Sequence, residues 1–132
     1  MSSSGEPGAY LFVYGTLRRE AGTPQGRRLL MEAAWVGPAR APGRLYDLGR
    51  YPGMKAAQRG DAWVLGEVYR LEDGAKTLAW LDAYEGIESG FYERRVVPVR
   101  LEAGGELTAW CYFLKGSVPS AQRIDSGDYF AR

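Results

Sequence analysis

An α+β fold with an antiparallel sheet or barrel is predicted by three observations. Short apolar, β-branched and aromatic runs recur about six times, they follow one another mostly in hairpin-like order, and only two stretches carry helical spacing. The first run, "AYLFVYG" (Ala9 to Gly15), is apolar almost throughout and ends in glycine, as suits a buried strand. Thr23 and Pro24 then offer an N-cap and a first-turn proline. Leu29, Leu30 and Ala33 follow at helical spacing, so a helix is expected from about Pro24 to Ala33. Between Trp35 and Leu48, Pro38, Pro42 and the neighbouring glycines should break the chain into short strand pieces. "GRLYDLG" is the best of these, and "YPGM" reads as a turn. "AWVLGEVYRL" (Ala62 to Leu71) alternates as a strand does. The spacing then shifts through Leu78, Leu81 and Tyr84, predicting a helix from Asp73, its N-cap, to Tyr84, with Gly86 as its stop. "FYERRVVPVRL" and "LTAWCYFL" flank the two-glycine turn "EAGGE" and form a hairpin, in which Pro98 belongs at an edge or bulge. The tail from Lys115 to Arg132 has little periodicity and reads as mixed loop.

A length of 132 residues, 45% of them hydrophobic, suits one compact domain over residues 9–132, preceded by a flexible start at Met1 to Gly8. The net charge of +1 comes from 17 basic and 16 acidic side chains that are interspersed, which argues against nucleic acid or an anionic membrane surface as a partner. No run approaches the roughly 18 apolar residues of a membrane span. A lone Cys111 leaves no disulfide framework, and with no secretory leader pattern a cytoplasmic location is expected. The chain contains no histidine. That removes the Ser-His and Cys-His nucleophile pairs and most zinc sites, so chemistry here must run on carboxylates, hydroxyls, backbone groups, Lys or Arg. No metal or other cofactor is expected.

Glu85 breaks a local rule. It falls at the carboxyl end of the second helix, where the macrodipole is negative and an acid is disfavoured by roughly 0.3–1 kcal/mol. Neighbouring carbonyl dipoles and partial burial would raise its pKa and make it a proton shuttle; the bland reading is a solvated residue at a frayed helix end. Asp82, on the same face, could form a carboxylate dyad with it. In "VYGTLRRE" the first strand ends at Tyr14-Gly15 and the chain turns through Thr16-Leu17. Successive N–H groups there can converge on a carboxylate or oxyanion, or the stretch is an ordinary tight turn. Tyr92 could hydrogen-bond a substrate or belong to the core, and Cys111 is expected to be a buried filler. The pairs Arg18-Arg19, Arg27-Arg28 and Arg94-Arg95 could bind acidic ligands, RNA included, or line solvated edges.

Taken together, "YLFVYGTLR", "YPGM" after "LYDLG", "LDAYEGIESGFYERRVVPV" before "AWCYF", and "IDSGDY" resemble the γ-glutamylcyclotransferase-like family, its small bacterial members and the γ-glutamylamine cyclotransferases included. The resemblance runs from about Tyr10 to Tyr129. It implies a compact, mostly antiparallel small β-barrel with short flanking helices and a ligand cavity beside the first strand's loop. It implies that Glu85 is the acid–base residue, that Tyr14, Gly15, Thr16 and Leu17 bind substrate through backbone groups, and that Tyr92 lines the pocket. The activity implied is cyclisation of a γ-glutamyl amine or γ-glutamyl amino acid to 5-oxoproline, without a cofactor, in a monomer or small homo-oligomer. A non-catalytic module holding a small ligand on the same fold is the alternative. The loops Arg18 to Gln25 and Ser117 to Asp128 are expected on the leaving-group side.

Overall fold

A computed structural model of the chain describes residues 10–49, 51–58, 60–85, 90–118 and 122–132. The start at Met1 to Gly8 and the helix stop at Gly86 lie outside the described residues. Seven strands and two α-helices follow in the order β1 (Tyr10–Val13), α1 (Pro24–Glu32), β2 (Ala33–Asp47), β3 (Pro52–Ala56), β4 (Trp63–Leu71), α2 (Gly74–Glu85), β5 (Tyr92–Leu101), β6 (Glu106–Leu114) and β7 (Arg123–Ile124). Five of the strands close a barrel in the order β2-β4-β1-β6-β5, sealed where Ala39 and Arg40 of β2 meet Leu101 and Arg100 of β5. Among the described residues only β1 with β6 pairs in parallel; β3 and β7 extend the sheet along the far half of β2. The result is the predicted α+β small barrel.

Closure explains why β1 is apolar on both faces. Phe12 and Tyr14 point into the barrel with Val68, Val97, Val99, Cys111 and Phe113, while Leu11 and Val13 point outward against the layer made by Leu29, Leu78 and Leu81. Thr23 caps α1 by accepting the Gly26 N–H at 3.0 Å, and Asp73 caps α2 by accepting the Lys76 N–H at 3.2 Å, both as the sequence predicts. The two helices are tied by Glu32, which accepts from Thr77 Oγ1 and Trp80 Nε1 at 2.9 Å each and pairs with Arg28. The bonds from Trp80, Arg28 and Thr77 pull its carboxyl down to about 2. Among the described residues no helix is long and apolar enough to cross a membrane.

Three expectations are corrected. The stretch from Trp35, expected as short pieces, is as far as Asp47 part of a single 15-residue strand, with a register shift between Trp35 and Gly37. The carbonyl of Pro38 receives the N–H of Glu102 on the β5 side. The N–H groups missing from Pro38 and Pro42, four residues apart, therefore face that side, where pairing is confined to Ala39 and Arg40. The ladder to β4 stays intact. The turn expected at "YPGM" falls earlier: Asp47 Oδ1 accepts the Gly49 N–H at 2.8 Å, Gly49 sits at φ 101°, and Pro52 already begins β3. The tail, read as loop, adds β7 and a short 3₁₀ turn at Tyr129–Ala131, capped by Asp128. The β5–β6 hairpin is as predicted, and Pro98 lies where β5 has not yet met β2.

Candidate active site

The barrel opens where β1 ends. There Tyr14, Gly15, Thr16 and Leu17 border a cavity of about 40 Å³ together with Phe12, Tyr51, Pro52, Glu85, Tyr92 and Tyr112. Outside it lies a bowl of about 240 Å³ walled by Thr16, Tyr51, Tyr84, Glu85, Phe91 and Tyr92. Glu85 belongs to both. As the last residue of α2 it projects where the helix meets the mouth of the barrel, so the structure brings Glu85 together with Tyr14, Gly15, Thr16, Leu17 and Tyr92.

The loop after β1 is built by small-residue chemistry. A Cβ at Gly15 would stand 2.5 Å from Cγ and 2.8 Å from Cδ of Pro52, so only glycine lets β3 close over the loop. The Arg18 N–H donates to the Gly15 carbonyl at 3.0 Å, and the Thr23 hydroxyl donates to the Thr16 carbonyl at 2.7 Å, tying the loop to the start of α1. These bonds use carbonyls. Among the described residues the N–H groups of Gly15, Thr16 and Leu17 find no acceptor, an unusual state for backbone beside a core and one suited to an anion.

Glu85 is half-buried, and among the described residues no hydrogen-bond donor or cation meets its carboxylate. Burial alone pushes its pKa from 4.5 up to about 7. After burial itself, its charge helps raise Tyr14, Tyr92 and Cys111, and it adds to the effect of burial and Asp82 on Tyr112. The dyad with Asp82 does not form. Asp82 is committed to Arg94, at 2.8 Å from Nε, and to the Tyr112 hydroxyl, at 2.6 Å, and so anchors α2 to β5 and β6.

The tyrosines frame the cavity rather than reach into it with free hydroxyls. Tyr14 donates to the Tyr112 carbonyl at 2.7 Å and accepts the Met54 N–H at 3.2 Å, leaving its ring as floor. Tyr92 donates to the Pro52 carbonyl at 2.9 Å and retains lone pairs for a ligand donor. Cys111 is fully buried beside Met54, as expected of a filler. The paired arginines are engaged within the molecule: Arg18 with Glu67 and Asp128, Arg19 over Trp35, Arg27 with the Gly22 carbonyl, Arg28 with Glu32, Arg94 with Asp82, and Arg95 with Glu93. Tyr51, Pro52, Tyr84 and Phe91 are wall residues that sequence reasoning missed. "YPGM" was the one signal for Tyr51 and Pro52, and its reading as a turn hid it; Tyr84 and Phe91 lie in the same stretch as Glu85.

A raised acid has a measurable consequence for stability. The folded state holds the Glu85 proton up to about pH 7, whereas the unfolded chain releases it near 4.5, so the folded state binds more protons across that window. Stability should fall by up to about 3 kcal/mol as pH rises from about 4.5 to 7 and then level off. Urea unfolding of wild type and Glu85→Gln at pH 5 and pH 8 isolates this contribution. The variant should lose the decline, and parallel pH dependences in the two proteins would contradict the burial assigned to Glu85.

Comparison with known proteins places this architecture. Residues 11–131 match the family described as γ-glutamyl cyclotransferase, AIG2-like. A γ-glutamylcyclotransferase family protein of Escherichia coli, YtfP, is 33% identical over 129 residues, covering 92% of this chain and 96% of that one. Among solved structures, Bacillus subtilis YkqA superposes with a TM-score of 0.70 at 28% identity over 92% of this chain, which spans 39% of that longer protein. An AIG2-like protein from Mus musculus superposes with a TM-score of 0.67 at 26% identity, covering 84% of this chain and 80% of its own. With the match extending from the middle of β1 to the 3₁₀ turn at the carboxyl end, the chain belongs to the γ-glutamyl cyclotransferase, AIG2-like family.

Proposed function

We propose that the cavity cyclises a γ-glutamyl amine or γ-glutamyl amino acid to 5-oxoproline and a free amine, with Glu85 as the acid–base group. The observation that carries this reading is the pairing of one half-buried carboxylate, facing no cation among the described residues, with three residues lining the same cavity whose amides find no acceptor among the described residues. The substrate supplies its own nucleophile. Its α-amine attacks its γ-carbonyl carbon, a C–N bond closes the five-membered ring, and the carbonyl oxygen takes up negative charge. The amides of Gly15, Thr16 and Leu17 face that charge or the α-carboxylate beside it. Glu85 takes the proton lost by the attacking nitrogen and returns it to the departing one as the original amide C–N bond breaks. Intramolecular attack reaches effective molarities on the order of 10⁵–10⁸ M when geometry is held, and a positioned proton shuttle adds about 10²–10⁴-fold. A pKa near 7 suits both halves of that task, because the group is a usable base and a usable acid at neutral pH.

The test is release of 5-oxoproline from a panel of γ-glutamyl amino acids and γ-glutamyl amines, followed across pH. Release is expected, with kcat/KM rising through about pH 7 as Glu85 loses its proton. Tight binding of panel members without any release would support instead the ligand-binding alternative on the same fold. A low-pH limb near 4.5 would be that of an ordinary carboxylate and would contradict the raised pKa on which the shuttle's action at neutral pH rests.

A further inference from the structure

Glu67 stands outside the cavity, yet its carboxylate is spent on the loop that borders it. Only 4% exposed, it accepts the Arg19 backbone N–H at 2.8 Å and the Trp35 Nε1–H at 3.1 Å through Oε1, and faces Arg18 Nε at 3.4 Å through Oε2. Arg18 continues to Asp128 Oδ1 at 2.7 Å and lies over the Phe130 ring, while Arg19 lies over Trp35 at 3.7 Å. Glu67 pairs with Val13 in the β1–β4 ladder, so the sheet itself fixes the origin of this carboxylate two residues before Gly15.

Burying a charge on a strand is costly unless every partner is in place, and a hydrophobic residue there is the cheaper way to fill the space. The charge is used to clamp. Val13 is held by the ladder on one side, and Arg18 and Arg19 by Glu67 on the other, so Gly15 to Leu17 are a short span between two fixed points. A catalytic amide needs its neighbours held to a fraction of an ångström, which is work for groups behind the site.

We propose that Glu67, acting with Arg18, is a positioning residue that aims the amides of Gly15, Thr16 and Leu17 into the cavity. It touches no substrate. Its effect on rate rests on the cyclotransferase reading above; its effect on the loop does not.

The test therefore has two arms. Glu67→Gln keeps the shape and one acceptor but loses the charge that pairs with Arg18, and Arg18→Lys keeps the charge but loses the planar fork. In the first arm, amide hydrogen exchange is followed by NMR without ligand. The backbone N–H of position 18, whose partner is the Gly15 carbonyl and not Glu67, should exchange about tenfold faster or more in both variants, with the β1–β4 ladder amides unchanged. In the second, kcat for 5-oxoproline release should fall about tenfold or more, with the low-pH limb of the rate profile unmoved. Unchanged loop exchange, or equal acceleration in loop and ladder, overturns the proposal, as does a loosened loop with wild-type kcat. Loosening of the loop in a protein that releases no 5-oxoproline would sustain the clamp and overturn the cyclotransferase reading.

Discussion

Glu85→Gln is expected to lower 5-oxoproline release by about 10²-fold or more while the protein remains folded. The substitution keeps the side chain's size and its place at the end of α2, and removes only the capacity to take and return a proton. No other group among the described residues stands ready to replace it. Asp82 is held by Arg94 and Tyr112, and burial pushes the hydroxyls of Tyr14 and Tyr92 and the Cys111 thiol upward, away from neutral pH. The loss should fall on kcat more than on KM, because the shuttle acts on protons that move only as bonds change. Steady-state kinetics of both proteins, beside their melting temperatures, decides the matter. Equal turnover by the variant would strip Glu85 of its role, whatever the fate of the cyclotransferase reading.

Gly15→Ala should be nearly as damaging, for a steric reason. The new methyl would overlap the Pro52 ring at 2.5 Å, so either the loop or the start of β3 must move. Neither moves alone, since the Pro52 carbonyl holds the Tyr92 hydroxyl and the loop carries the amides. A shift of about 1 Å in a positioned group can cost on the order of 10²-fold in rate, and overpacking of this kind typically costs about 1–3 kcal/mol of stability. Pro52→Ala removes both ring atoms that clash, so the double variant should recover much of the lost turnover, a non-additivity that reports their contact directly. Wild-type kinetics in Gly15→Ala would show that this loop has no part in the chemistry.

Much of this was legible in the sequence because it rests on local rules. The caps at Thr23 and Asp73, the "EAGGE" hairpin and the apolar first strand each follow from a few adjacent residues, and the family resemblance pointed to the same barrel. Glu85 was visible as an acid where a helix end disfavours one. The long β2 was not. Pro38 and Pro42 are read locally as breakers, and only the partial pairing with β5 leaves them a side on which no donor is missed. The tyrosine walls were hidden likewise, since Tyr51 and Tyr84 reach the same bowl from separate segments of the chain.

The sequence alone determined what chemistry is available: no histidine, one isolated cysteine, a carboxylate at a helix end and a glycine where the first strand turns. The tertiary structure alone decided what that carboxylate is. The sequence marks Glu85 as an acid at a helix end, but it does not show which of two acids three residues apart on one helix finds a partner. Folding brings Arg94 and Tyr112 to Asp82 and fixes it in an ion pair, and carries Glu85 past them into a cavity where it gains no such partner among the described residues. Solvation and pairing set the energy of a charge, and both are properties of the space around the residue rather than of its neighbours in the chain.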